Sequence, residues 1–149
     1  MKRIRRILYA SDYSKASEPA LEHAVDLAKQ NNAELVVVHV IEPVTPYAAG
    51  DDWSGAELYL RLEESTRRDA QASMQKLMQR LSRFKVKAKS LLLKGSAYDQ
   101  IVKAARTRKA DMIVIGTHGR TGLSKLFLGS VAGRVVSTAP CPVLTVRGR

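Results

Sequence analysis

The chain has 149 residues, 45% of them hydrophobic, enough for one well-buried core and too few for two ordinary domains. No apolar run approaches the roughly 20 residues a helix needs to cross a bilayer, and Met1 to Arg6 lacks the apolar stretch of a signal peptide, so the expected location is the cytoplasm, without a membrane partner. The net charge of +11 suits anionic partners, but with aromatics at 5% the chain is poor in stacking platforms, so the charge reads as a solvated basic exterior and a nucleic-acid partner is not expected.

Ile4 to Ala10 is an apolar run short enough for a strand. Leu21, Ala24, Val25 and Ala28 then recur at helical spacing, with Ser17 as a candidate N-cap and Pro19 in the first turn. Leu35 to Ile41, nearly continuous and β-branched, has the pattern of a strand covered on both faces in a parallel sheet, and His39 within it reads as a satisfied core histidine. Pro43 to Gly55, with Pro46, Gly50 and the lone Trp53, reads as one long loop. Ala70, Met74, Leu77, Met78 and Leu81 mark the core stripe of a long helix from near Ala56 to near Arg83.

Lys85 to Leu93 follows as a strand, and Tyr98, Ile101, Val102 and Ala105 as a helix. Met112 to Ile115 is a buried strand, Ala132, Val135, Val136 and Ala139 mark a last helix, and Pro142 to Val146 forms a closing strand. Cys141 has no second cysteine to pair with, and the scattered His23, His39 and His118 build no cysteine-based metal site with it. The alternation predicts an α/β fold: a single-domain, doubly wound, parallel five-stranded sheet with helices on both faces, since each parallel pair needs a right-handed crossover.

In such sheets ligands bind beyond the carboxyl ends of the strands, where the winding reverses. The ends are Ala10-Ser11-Asp12, Val40-Ile41-Glu42 and Ile115-Gly116-Thr117-His118-Gly119. The third opens the most unusual stretch of the chain, punctuated by Gly116, Gly119, Gly122 and Gly129. Without Cβ atoms in the way, backbone N–H groups can turn inward and cradle phosphate oxygens. Gly129 and Ser130 lead into the last helix, whose N-terminus adds donors and partial positive charge, and Arg120 and Lys125 could neutralise a polyphosphate. Neither a P-loop nor a dinucleotide fingerprint is present. Asp12 suits an Asx turn before Ser14 as well as a ligand contact. No residue set forms a catalytic constellation, and nothing orients His118 as a base; a slow hydrolase or phosphotransferase is the first alternative to a binding module, and a basic nucleic-acid-binding protein exploiting the +11 charge is the second.

The spacing Gly116-x2-Gly119-x9-Gly129-Ser130 resembles the Gly-x2-Gly-x9-Gly-[Ser/Thr] pattern of the ATP-binding branch of the universal stress protein family. Ile4 to Asp12, His39-Val40-Ile41 and Ala139 to Val146 join that resemblance, which covers almost the whole chain. It implies Asp12 at the adenosine side, the Val40 backbone on the adenine edge, and Gly116, Gly119, Gly129, Ser130 and Val131 on ribose and phosphates. Ala10, Ser11, Ile115, Thr117, His118, Arg120 and Ala132 complete the implied set. Ala10 stands where family members often have proline, and Ala132 where some carry a hydroxyl. The resemblance further implies ATP or another adenine nucleotide with Mg or Mn bridging its phosphates, a non-enzymatic stress-response or signalling role in which nucleotide orders the Gly116 to Ser130 loop, and a homodimer through Pro142 to Val146.

Overall fold

A computed structural model of the chain describes residues 2–44, 53–118 and 127–148, with only the backbone of Trp53 and Ser54. Strands and helices alternate without exception among them: β1 (Arg6–Ala10), α1 (Glu18–Asn31), β2 (Glu34–Ile41), α2 (Trp53–Ser82), β3 (Lys87–Lys94), α3 (Ala97–Thr107), β4 (Met112–Gly116), α4 (Ser130–Thr138) and β5 (Val143–Val146). All neighbouring strands are parallel, in the order β3-β2-β1-β4-β5. Among the described residues no helix is long and apolar enough to cross a membrane.

Burial explains why the central strands are apolar without alternation. In β1, Ile7 and Tyr9 point into the core beneath α1 and α2, while Leu8 and Ala10 point into the core beneath α3. A strand covered on both faces cannot place a polar side chain at either parity without leaving it dry. β3 lies at the edge, and Lys87, Lys89 and Ser90 are accordingly exposed.

Several local expectations change. Ser17 sits at the N-cap position of α1, but a 3-10 turn, Lys15–Ser17, precedes the helix and leaves Ser17 with helical dihedrals. Its hydroxyl therefore points back and donates to the Ser14 carbonyl at 2.7 Å instead of capping. The loop expected to reach Gly55 stops sooner, because α2 begins at Trp53; residues 45–52 and the Trp53 side chain lie outside the described residues. β2 is fully buried only from Leu35 to Val38, so His39 is half-buried at the strand's end and not a core residue. Val136 shares the helical stripe of α4 yet is 48% exposed, since α4 lies at the sheet edge beside α3.

α2 spans 30 residues, and its contribution is uneven. Ala70, Met74, Leu77 and Leu81 are buried, as the stripe predicts, whereas Leu58, Leu60 and Leu62 in the first half are exposed.

Candidate functional site

The winding reverses between β1 and β4, which lie side by side with Ala10 opposite Ile115. α1 packs on one face of the sheet and α4 on the other, the arrangement in which a ligand crevice is expected beyond the carboxyl ends of the two strands.

On the β1 side the turn is locked by its own polar groups. Ser11 N–H donates to the Val38 carbonyl at 2.8 Å, and Ser11 Oγ accepts from Tyr13 N–H at 3.1 Å. Asp12 Oδ1 accepts from Ser14 N–H at 2.9 Å and from Ser14 Oγ at 2.5 Å, the Asx turn its position suggested. Tyr13 adopts left-handed dihedrals, φ 63°, which costs a non-glycine residue about 1–2 kcal/mol. Its ring, stacked on His39 with centroids 4.1 Å apart, and its hydroxyl, donating to the Ala70 carbonyl of α2 at 3.1 Å, offset that cost. His39 Nδ1 lies 2.8 Å from the Ser11 carbonyl. Nothing in the spacing of the sequence points to Tyr13, because its role rests on a contact with a helix distant along the chain.

The main chain of Val40 is placed by parity. The residues of a strand in a parallel sheet direct their N–H and C=O groups alternately to one neighbour and the other. The Val38 carbonyl accepts from Ser11 on the β1 side and the Ile41 carbonyl from Gly95 N–H on the β3 side. Val40 therefore directs its N–H and C=O toward β1, at a level where β1 has already ended at Ala10.

On the β4 side, Thr117 N–H donates to the Val146 carbonyl at 2.9 Å, and the Thr117 carbonyl accepts from Gly129 N–H at 2.6 Å. That second bond ties the start of α4 to the end of β4. The first bond within α4 runs from Gly133 N–H to the Gly129 carbonyl, so the helix itself leaves the N–H groups of Ser130, Val131 and Ala132 unpaired. No acidic residue occupies its first turn, and the partial positive charge of the helix end is left uncompensated there. Thr117 Oγ1 and His118 Nδ1 are 2.9 Å apart.

The two described glycines of the motif differ in what they require. A Cβ on Gly129 would stand 2.8 Å from the Thr117 carbonyl oxygen, so glycine is demanded by the main-chain approach itself. A Cβ on Gly116 would meet nothing nearer than the His118 carbonyl at 3.6 Å, so the protein has room for one.

The structure thus gathers Ala10, Ser11, Asp12, Val40, Ile115, Gly116, Thr117, His118, Gly129, Ser130, Val131 and Ala132 at one end of the sheet. Ala10, Ile115 and Ala132 bury their side chains in the core beneath, leaving their main chains as what they can offer a ligand. Gly119 and Arg120, with Gly122 and Lys125, lie outside the described residues. Among the described residues no three His, Cys, Asp or Glu side chains are grouped to hold a metal ion. Burial, with Asp111 nearby, pushes the half-buried Cys141 thiol up, away from thiolate chemistry.

The family model described as the universal stress protein family matches residues 3–147. Universal stress protein MJ0531 of Methanocaldococcus jannaschii is 35% identical over 143 residues, covering 96% of this chain and 82% of that protein. The solved structure of protein MJ0577 superimposes with a TM-score of 0.86 at 28% identity, covering 99% of both chains. A universal stress protein from Archaeoglobus fulgidus in complex with dAMP has a TM-score of 0.60 at 24% identity, covering 98% of this chain and 100% of that one.

Proposed function

The chain belongs to the universal stress protein family, and from that premise we propose that it is an ATP-binding, non-enzymatic stress-response or signalling module whose nucleotide lies in the crevice beyond β1 and β4. The observation that carries this reading is the tie between Gly129 and Thr117, which sets the first N–H groups of α4, unpaired within the helix, at the end of β4, the strand beside β1. Phosphates fit the N–H groups of Ser130 to Ala132 and the Ser130 hydroxyl, where the helix end favours negative charge. The Val40 N–H and C=O would pair with the adenine edge, and Asp12, held by Ser14, would approach the ribose. Gly119 and Arg120, outside the described residues, belong to the same proposed phosphate contacts. The dAMP complex of the A. fulgidus relative supports an adenine nucleotide as the ligand class.

Mg or Mn would arrive with the nucleotide and be held by phosphate oxygens, because the described residues supply no ligand cluster of their own. Hydrolysis is the second reading, in which Asp12, bonded to Ser14, or His118, bonded to Thr117, would have to position a nucleophile. Ordering of the Gly116 to Ser130 loop by nucleotide would alter a partner surface. β5 is an edge strand, so a second copy could pair along it to form a homodimer. A cytoplasmic location belongs to the same proposal.

Mass spectrometry of small molecules released by denaturing the purified protein tests the central claim. An adenine nucleotide in near-stoichiometric amount is expected. Protein that carries none, and that shows no calorimetric response to ATP, ADP or AMP with or without Mg, would sink the reading.

A further inference from the structure

The charge is not spread evenly over the exterior. Because every strand runs the same way, all five begin at one end of the sheet, and α1, α2, α3 and α4 finish there. Lys2, Arg3, Arg5 and Arg6 lead into β1, Lys85 precedes β3, and Lys87 and Lys89 begin it. Lys29, Arg83, Arg106, Arg108 and Lys109 stand at the helix ends or just past them. Apart from the half-buried Arg6, these side chains are exposed. The carboxylates set among them are already engaged: Glu34 with Arg6 at 2.7 Å and Lys89 at 2.9 Å, Asp111 with the N–H groups of Arg5 and Arg6 at 2.9 and 3.0 Å and with Lys2 at 3.7 Å.

From this clustering we infer that the end of the sheet opposite the nucleotide crevice is a docking surface for the phosphate backbone of a nucleic-acid duplex. Compensation of helix dipoles accounts for part of the charge, since cations are favoured at helix C-termini. Four helix ends supply only about half a negative charge each, however, and they give no reason for Lys2 to Arg6 or Lys85 to Lys89. Like charges packed this closely repel one another, a cost that an anionic partner relieves. From β3 to β4 the surface spans three inter-strand gaps, about 14 Å, against a major groove about 12 Å wide, so cations at its two sides can reach phosphates on both strands. Between α1 and β3 it dips into a groove of about 410 Å³ lined by Lys29, Asn32, Phe84, Lys85 and Lys87, among others.

The apolar side chains argue for a duplex over the other polyanions. Among the described residues Phe84 is the large exposed apolar one at this end, and the Lys29 ammonium covers its ring at 5.1 Å. A single strand would need rings to stack on. A membrane surface would call for apolar side chains beside the cations, and Leu58, Leu60, Leu62, Phe127, Leu128 and Val136 lie on α2 and around α4 instead.

The test compares three proteins for binding to a labelled mixed-sequence DNA duplex across a salt series, by fluorescence anisotropy. They are the wild type, the fourfold variant Arg3→Gln, Arg5→Gln, Lys87→Gln and Arg106→Gln, and the charge-matched variant Arg61→Gln, Arg67→Gln, Arg68→Gln and Lys103→Gln on the outer faces of α2 and α3. The wild type should bind with steep salt dependence. The first variant should bind at least about tenfold more weakly, its salt slope flatter by roughly 0.9 for each phosphate it no longer neutralises, while the second stays close to wild type. Thermal melts confirm folding, and Arg3→Gln with Lys87→Gln alone serves as a smaller perturbation. Three outcomes overturn the proposal: no wild-type binding at low salt, equal loss in the two fourfold variants, or binding to anionic vesicles without binding to duplex. Adenine-nucleotide binding, measured on the same proteins, should be unchanged by the first variant, so failure of either reading is distinguishable from failure of the other.

Discussion

Two glycines of one motif carry different physical obligations. Gly129→Ala drives a Cβ to within 2.8 Å of the Thr117 carbonyl and should destabilise the protein by about 1–3 kcal/mol in urea denaturation, with or without nucleotide. Gly116→Ala, whose Cβ has 3.6 Å of clearance, should leave the urea midpoint almost unchanged while weakening ATP binding by at least about tenfold in calorimetry, if phosphate or ribose approaches that backbone. Unaltered ATP affinity in Gly116→Ala would remove this residue from the site. Weaker binding in a Gly129 variant, by contrast, says little about ligand approach, because α4 itself is displaced. A third prediction concerns acid. The Lys89 and Arg6 side chains hold the Glu34 carboxyl below its ordinary 4.5. A carboxyl lowered by folding contributes stability above its unfolded-state pKa and loses it as pH falls through the folded value. Glu34→Gln should therefore cost more stability at pH 7 than at pH 3, read from denaturation midpoints at the two pH values.

Among the elements, α2 shows how unevenly one helix can matter. Leu81 is fully buried, and Leu81→Ala should cost about 2–5 kcal/mol. Leu58 and Leu62 are 58% and 47% exposed, and the pair Leu58→Gln, Leu62→Gln should shift stability by no more than about 0.5 kcal/mol in the same urea titration. Both groups of leucines look alike in the sequence; which half of the helix meets the sheet depends on where the strands end. β5 offers a parallel case. The carbonyls of Pro142 and Val146 accept from β4, so Val143 and Thr145 direct their backbone groups to the free edge. Thr145→Pro would remove an outward N–H without touching the ladder to β4. Sedimentation should then report a dimer for the wild type and a monomer for the variant; a dimer in both would place the interface elsewhere.

At the scale of the whole molecule, much was legible from local pattern. The alternation of strands and helices, the buried strands β1, β2 and β4, and the positions after them where ligands bind follow from apolar periodicity and from turn residues, which act within a few positions of the chain. What local pattern could not supply is what depends on neighbours distant in sequence. Ser17 has the chemistry of a cap, but the preceding 3-10 turn aims its hydroxyl at Ser14. Tyr13 is strained beside the site because α2 and His39 hold it there. Val40 turns its backbone to the crevice only because β1 stops at Ala10. The charge follows the same division. The sequence determined +11, a five-stranded parallel fold and a glycine motif ahead of a helix. Strand order and direction, decided when the sheet assembles, brought the motif to one end and collected cations from segments far apart in the chain at the other, because parallel strands must all begin on the same side.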